Sequence, residues 1–347
     1  MKPEILLIEP MMPEIEKQLD AAYTVHRFTS VAQLKESAGR IRGIATGGAT
    51  GVPEAVMDSL PALEIIAING IGTDAVDLKK ARQRDIHVTT TPGVLTDDVA
   101  DMAMGLVLSL LRGLPSGDRY VRDGAWGHKP ALPLGRKVTG RKLGIIGMGR
   151  VGRAIAHRAQ AFAMPVSYTD LRDFELEGYA FVPDLLTLAR GSDILVIAAS
   201  GGAGSRHLVN REIMEALGAD GFLVNVARGS VVDEQALIQV LDAEKLGGAA
   251  LDVFEHEPRC TCAAPPFCPC GTAASSCQRN RGNAAGHGRT GHKKSCCPFC
   301  GSVIADCRDL NWRTACVGYV RSQAYLTHIE DIPAGRAALG IYFSGMS

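Results

Sequence analysis

The chain has 347 residues, enough for two domains of ordinary size with buried cores. Lysine plus arginine and aspartate plus glutamate balance at 37 each, so nothing global points to nucleic acid or an anionic membrane as a partner. No run of about 18 consecutive apolar residues occurs, so neither a signal peptide nor a membrane span is expected, and a cytoplasmic protein follows.

As far as Pro258, short apolar runs alternate with amphipathic stretches, the pattern of α/β folding with parallel sheets. The first domain, residues 1–97, has strands predicted at Ile5–Ile8, Ile44–Thr46, Leu63–Ile68 and His87–Thr90. Helices near Pro13–Ala22, Pro53–Leu60 and Asp77–Gln83 separate them. Thr96-Asp97-Asp98 then caps a linking helix that runs to residue 112. Val99, Met102, Ala103, Leu106, Val107 and Leu110 share one of its faces, which reads as a buried connecting helix, a dimer contact being the alternative. The second domain, residues 98–258, repeats the alternation with strands at Leu143–Ile146, Val166–Tyr168, Ile194–Ala198, Phe222–Val226 and Ala249–Leu251. Two α/β units joined by a helix leave a cleft, the usual place for a substrate to meet a cofactor.

Gly147-Met148-Gly149-Arg150-Val151-Gly152 closes the Leu143–Ile146 strand and opens a helix predicted over Val151–Phe162, and Asp170 stands at the end of the next strand. A lone Gly-x-Gly-x-x-Gly is weak; with strand, helix, second strand and acid in register it is a dinucleotide-binding fingerprint. The first glycine permits the tight turn, the second lets backbone approach a pyrophosphate, and the third lets helix and strand pack closely. Free N–H groups and the positive end of the helix dipole then face the phosphates. The expected fold class is therefore α/β with two doubly wound parallel sheets. A flavodoxin-like substrate domain precedes a Rossmann dinucleotide-binding domain and an irregular Cys-rich tail. Asp170 favours NAD by accepting the ribose diol and repelling a 2′-phosphate, whereas Arg172 is placed to serve a phosphate, so NAD is expected with NADP as the alternative.

Arg228 follows directly on the Phe222–Val226 strand, on the edge where such sheets bind ligands, and a guanidinium grips a carboxylate with two hydrogen bonds. Asp252 stands at the end of the Ala249–Leu251 strand, and Glu257 follows five residues later. Taken alone, Arg228 is also readable as a solvated surface side chain and each acid as a loop residue.

These motifs resemble the D-2-hydroxyacid dehydrogenases, in particular their glyoxylate, hydroxypyruvate and hydroxyphenylpyruvate reductase branch. The likeness runs over about residues 1–258. It rests on Asn69-Gly70-Ile71-Gly72-Thr73-Asp74, Thr91-Pro92-Gly93-Val94-Leu95-Thr96, Trp126 after Asp123-Gly124, the fingerprint, Val226-Ala227-Arg228-Gly229, and Leu251-Asp252-Val253-Phe254 with Glu257-Pro258. It implies hydride transfer between a nicotinamide and a small 2-oxo or D-2-hydroxy acid, in a homodimer. The backbone at Gly70 and Ile71, with Arg228, is implied to hold the substrate carboxylate. The cofactor is implied to lie against Thr96, Gly147, Gly149, Arg150, Val151, Gly152, Asp170, Arg172, Ser200, Val226, Ala227, Arg228 and Asp252. Glu257 is implied to pair with a histidine that protonates the carbonyl oxygen, a carboxylate neighbour keeping that imidazolium charged near neutral pH. The other reading is a non-catalytic dinucleotide-binding regulatory or interaction protein, for which the chain shows no docking motif.

Beyond Pro258 the pattern breaks. All ten cysteines lie between Cys260 and Cys316, and residues 259–302 contain no Val, Ile, Leu or Met. Such a segment is too poor in core-forming side chains to offset its ordering entropy. The tail carries ten Lys or Arg against four Asp or Glu, an excess that usually means solvation rather than nucleic-acid recognition. The family's Gln-Pro-His segment and closing helix are missing, and the position of the branch's histidine falls on Ser275. His287 and His292 lack the flanking residues of that histidine. Cys297-Pro298-Phe299-Cys300 has a ligand-pair spacing, with Cys260, Cys262, Cys268 and Cys270 upstream, but no second pair matches it, and no metal is expected. A shifted reading frame accounts for the tail better. Read one nucleotide later, the genetic code lets Ala273-Ala274-Ser275 become Gln-Pro-His, and residues 284–291 become Arg-Gln-Ala-Met-Gly-Glu-Leu-Val, which resembles the family's closing helix. Sequencing the gene through the Pro258 codon checks this: codons that forbid those residues in the displaced frame end the idea.

Overall fold

The computed structural model describes residues 2–257, which fall into two compact units, residues 2–95 and 96–257. The expectations for the tail lie outside the described residues.

In the first unit, β1 (Glu4–Leu7), β2 (Thr24–Arg27), β3 (Ile41–Gly47), β4 (Ile65–Asn69) and β5 (His87–Thr89) form one parallel sheet in the order β2-β1-β3-β4-β5. Helices α1 (Pro13–Ala22), α2 (Glu54–Ser59) and α3 (Leu78–Gln83) provide crossovers. Ile5 and Leu7 bury one face of β1 against Ile15 and Leu19 of α1, and Leu6 packs into a cluster with Ile44, Met57 and Ile66 on the other. A central strand covered on both faces has to be apolar at every position, which β1 is after Glu4. The strand β2 was not expected: Thr-Val-His-Arg is short, polar and half-exposed because it lies at the sheet edge. Several predicted ends move, and the strand expected over Ile44–Thr46 runs from Ile41 to Gly47. The strand expected at Leu63 begins at Ile65, and the one expected to reach Thr90 stops at Thr89.

The second unit opens with α4 (Thr96–Arg112), which includes Thr96, so Asp97 and Asp98 sit inside its first turn rather than before it. There they complement the positive end of the helix dipole. Ala103, Leu106, Val107 and Leu110 of the predicted stripe are buried, joined by Ala100, Met104 and Leu111, in the core formed with β6 and α6. Gly113, at φ +63°, ends α4, and the chain bends by 61° into α5 (Leu114–Arg122). No residue of α5 is buried. No single helix among the described residues is long and apolar enough to cross a membrane.

The remaining strands are β6 (Leu143–Ile146), β7 (Val166–Thr169), β8 (Ala180–Phe181), β9 (Ile194–Ile197), β10 (Phe222–Asn225) and β11 (Gly248–Leu251). They lie parallel in the order β11-β10-β9-β6-β7-β8, interleaved with α6 (Arg150–Gln160), α7 (Leu185–Arg190), α8 (Arg211–Leu217) and α9 (Glu234–Asp242). The sheet winds outward in both directions from the β6/β9 pair, so the two connections diverge above the carboxyl ends of these strands and open a ligand crevice there. Every residue of β6, β9, β10 and β11 is buried, as a sheet covered on both faces requires. The helix predicted over Val151–Phe162 runs instead from Arg150 to Gln160. It is tied to the start of α4 by Arg158, whose guanidinium meets Asp101 at 2.6 Å and Asp97 at 2.9 Å. These carboxylates hold Arg158 above its ordinary pKa, though the pair is exposed and stabilises by at most about 1 kcal/mol. Packing therefore carries this unit. Ile145→Ala, at a fully buried position of β6, is expected to lower its unfolding free energy by about 2–5 kcal/mol in urea titration followed by circular dichroism.

Candidate active site

Five turns meet at the carboxyl edge of the second sheet, and most of the expected cofactor residues stand on them. Gly147 follows β6 at φ +93°, where a Cβ would lie 2.6 Å from the Ala199 backbone beyond β9. Gly152 is equally confined, since a Cβ there would fall 2.1 Å from the Gly147 carbonyl oxygen. Gly149 is the opposite case: nothing lies within 4 Å of a Cβ built on it. Two glycines seal the turn and the third leaves room above it. No side chain caps the first turn of α6, where Gly149 is the N-cap, so the N–H groups that follow at Arg150, Val151 and Gly152 have no side-chain acceptor there. That arrangement fits a dinucleotide pyrophosphate.

Asp170 follows β7, and its two carboxylate oxygens accept backbone N–H groups from Met148 and Leu171, each at 2.7 Å. The acid is thereby fixed to the fingerprint turn, with lone pairs left for a ribose hydroxyl. Arg172, two residues on, lies with its guanidinium 4.9 Å from the centre of the Phe174 ring, and Arg153 of α6 occupies an equivalent distance from the same ring. Ser200 is exposed on the loop after β9, its carbonyl accepting the Ser205 hydroxyl at 2.9 Å.

After β10, the wholly buried Asn225 binds both sides of the turn. Its Oδ1 accepts the Ala227 N–H at 3.0 Å and its Nδ2 donates to the Arg228 carbonyl at 2.9 Å. Val226 and Ala227 are buried, while Arg228 is half-exposed and donates to the Ala227 carbonyl at 2.8 Å. Gly229 is then pressed against the next turn, a Cβ there falling 1.8 Å from the Phe254 carbonyl carbon. Asp252, after β11, donates its N–H to the Asn225 carbonyl at 2.9 Å, and Glu257 accepts the Phe254 N–H at 3.2 Å. Arg228, Asp252 and Glu257 are thus carried on two interlocked turns.

Sequence reasoning missed the group that holds these turns from beneath. Glu255 accepts from Arg206 at 2.6 Å and contacts His207 Nε2 at 3.1 Å, and its N–H donates to the buried Glu234 at 2.7 Å. His207 holds a left-handed backbone at φ +49°. No local spacing signals this cluster, because its members come from three separate connections. A groove of about 910 Å³ lies elsewhere, between α7, α8 and α9; its Arg211 pairs with Glu215 and Gln239, leaving no evident ligand role.

Three further expected residues, Gly70, Ile71 and Thr96, stand at other elements. Gly70 follows β4 in the first unit, at φ +142°, and Thr96 begins α4. The Gly70 N–H donates to the Thr91 hydroxyl at 3.0 Å, so it reaches a carboxylate only by giving up that bond. Ile71 beside it is 57% exposed, far from a core position. Among the described residues no group of three or more His, Cys, Asp or Glu side chains is placed to hold a metal ion.

Known proteins share this architecture and these motifs. The model of the D-isomer specific 2-hydroxyacid dehydrogenase NAD-binding domain matches residues 104–267. The 2-ketogluconate reductase of Gluconobacter oxydans is 48% identical over 257 residues, 74% of this chain and 83% of that protein. A glyoxylate/hydroxypyruvate reductase A of Arabidopsis thaliana is 43% identical over 258 residues, 73% of this chain and 82% of that protein. Among solved structures, the NADPH-dependent glyoxylate/hydroxypyruvate reductase of Sinorhizobium meliloti, in complex with NADP and malonate, has a TM-score of 0.71 at 38% identity, covering 75% of this chain and 82% of that one. With the sealed glycine turn and the Arg228 turn in place, the chain belongs to the D-isomer specific 2-hydroxyacid dehydrogenases, NAD(P)-dependent oxidoreductases of 2-hydroxy and 2-oxo acids.

Proposed function

We propose that this chain acts on small 2-oxo acids of the glyoxylate and hydroxypyruvate type, giving D-2-hydroxy acids, and that it turns over slowly. The observation that carries the reading is the placement of Arg228. It stands on a turn pinned by the buried Asn225, two strands from the glycine turn on the same sheet edge. A guanidinium fixed in this way grips a carboxylate through two parallel hydrogen bonds and orients the adjacent carbonyl. The N-terminus of α6 holds the pyrophosphate of NAD or NADP, and Asp170 accepts a ribose hydroxyl. When bound, the reduced nicotinamide supplies a hydride to the carbonyl carbon, and the carbonyl oxygen needs a proton. In the family this proton comes from a histidine paired with the residue at Glu257, and Ser275 stands at the histidine's place. Loss of such a donor costs a factor of roughly 10²–10⁴ in rate.

The relatives named for 2-ketogluconate and for glyoxylate or hydroxypyruvate reduction support a short polar substrate. Purified protein given glyoxylate or hydroxypyruvate with NADH and NADPH should show dinucleotide binding but slow oxidation. Failure of both dinucleotides to bind at millimolar concentration overturns the reading, and ordinary enzymatic rates overturn the impairment. Arg228→Ala should weaken binding of the unreactive analogue oxamate to the dinucleotide-loaded protein by at least about tenfold in calorimetry.

A homodimer is the assembly we infer. Helix α5 buries nothing, and Leu114, Val121, Trp126 and Leu134 in and after it are 55%, 54%, 75% and 93% exposed. Apolar side chains gathered on one segment mark an interaction surface, and it carries both acids and bases, Asp118 and Asp123 beside Arg119 and Arg122, so a second copy can match it. Sedimentation should give twice the chain mass, and Val121→Asp with Leu134→Asp should give the monomer. A monomeric parent protein rules the dimer out.

A further inference from the structure

Tyr168 is the bulkiest fully buried side chain among the described residues, and it lies on β7, two residues before Asp170. Its hydroxyl does not simply rest in the core. It donates to Asp173 Oδ1 at 2.5 Å and accepts the Phe174 N–H at 2.9 Å. The same Asp173 oxygen accepts the Glu175 N–H at 2.8 Å. One phenol therefore gathers the turn after β7 from inside, and that turn carries both Asp170 and Arg172. The bond to Tyr168 is also the leading cause that holds the Asp173 carboxyl below its usual range, while burial pushes the phenol up.

The consequence falls on Arg172. Asp173 is its immediate neighbour in the chain and the carboxylate nearest in sequence to neutralise it. Among the described residues no ion pair joins them, and Asp173 Oδ1 is held by the phenol and by the turn's own N–H. Arg172 lies instead over the Phe174 ring, whose backbone N–H the same phenol accepts. Arg153 shares that ring and donates to the Met148 carbonyl of the glycine turn at 3.1 Å. Among the described residues neither guanidinium pairs with a carboxylate, and Arg172 stands two residues from Asp170. Asp170 alone disfavours a 2′-phosphate, but each of its oxygens already accepts a backbone N–H.

We infer that the Tyr168 hydroxyl is a positioning group for nucleotide discrimination: by holding Asp173 Oδ1 and the Phe174 N–H within the turn, it keeps Arg172 over the Phe174 ring and available to a 2′-phosphate. The inference rests on the proposed dinucleotide reading of this edge and adds to it a residue that touches no ligand. It makes the chain able to take NADPH as well as NADH, with the balance set from within the core.

The test is fluorescence titration of the full chain with NADPH and with NADH, alongside thermal melting of each protein. Tyr168→Phe removes the bond that holds Asp173 Oδ1 in the turn and lets the carboxylate swing toward Arg172. It should weaken NADPH binding by about three- to tenfold while moving NADH by less than about twofold. Adding Asp173→Asn to that variant should restore most of the lost NADPH affinity, which a merely structural role for the phenol would not do. Arg172→Ala should abolish the difference between the variants. Equal losses for both nucleotides, no loss for NADPH, or no recovery in the double variant each overturn the positioning role. Should Tyr168→Phe melt below the assay temperature, Asp173→Ala with Tyr168 intact provides the second measurement. It should leave NADPH affinity equal to or above that of the parent, and a selective loss of NADPH overturns the inference. If the folded parent binds neither nucleotide, the dinucleotide reading fails together with the inference, whereas binding of both with no selective effect defeats the inference alone.

Discussion

The constraint on which this molecule turns is a contact with no room in it. Gly147 lies so close to the backbone of Ala199 that a single methyl group would collide with main-chain atoms, and Gly152 closes on Gly147 in the same way. Main chain cannot retreat as a side-chain end can, so these distances hold β6, β9 and α6 in fixed relation. The start of α6 then points at open space above Gly149. The anion-binding character of the second unit is a consequence of this packing, since the N–H groups of a helix start bind phosphate only where nothing else caps them.

The same economy operates at the other end of the edge. Asn225 cannot meet water, and it satisfies its amide by bridging Ala227 and Arg228, so the strand end determines the path of the turn that follows. Gly229 transmits that path to the Phe254–Glu255 backbone, and Glu255 is held in turn by Arg206 and His207. Chemistry-bearing residues on loops are usually more mobile than the elements they connect. Here the loops are braced against one another, and their positions follow from the strands.

Much of this was legible in the amino-acid order. The strands β6, β9 and β11 announce themselves as apolar runs, as β10 does up to Asn225, and the fingerprint, Asp170, Arg228 and Asp252 follow strand ends where the parallel sheet collects ligands. What stayed hidden has a common physical cause. The edge strands β2 and β8 are short and half-exposed, so no periodicity marks them. Helix α5 hides behind Pro115 and Gly117 and buries no face. The Glu255 cluster and the Tyr168–Asp173 bond arise from side chains meeting in three dimensions, where residue spacing carries no signal. Tyr168 in particular is indistinguishable from an ordinary core aromatic until its hydroxyl is given a partner.

The sharp corner at Gly113 has a further effect on how the chain behaves as a material. It turns α5 away from the line of α4, whose stripe is consumed by the interior, and leaves leucine, valine and tryptophan in contact with water. Surfaces of this kind make colloidal behaviour depend on dilution: water is released when the patch is covered, so warming and kosmotropic salts strengthen self-attraction while mild chaotropes relax it. Handling losses in preparations of this chain should accordingly track protein concentration and salt type more closely than they track pH.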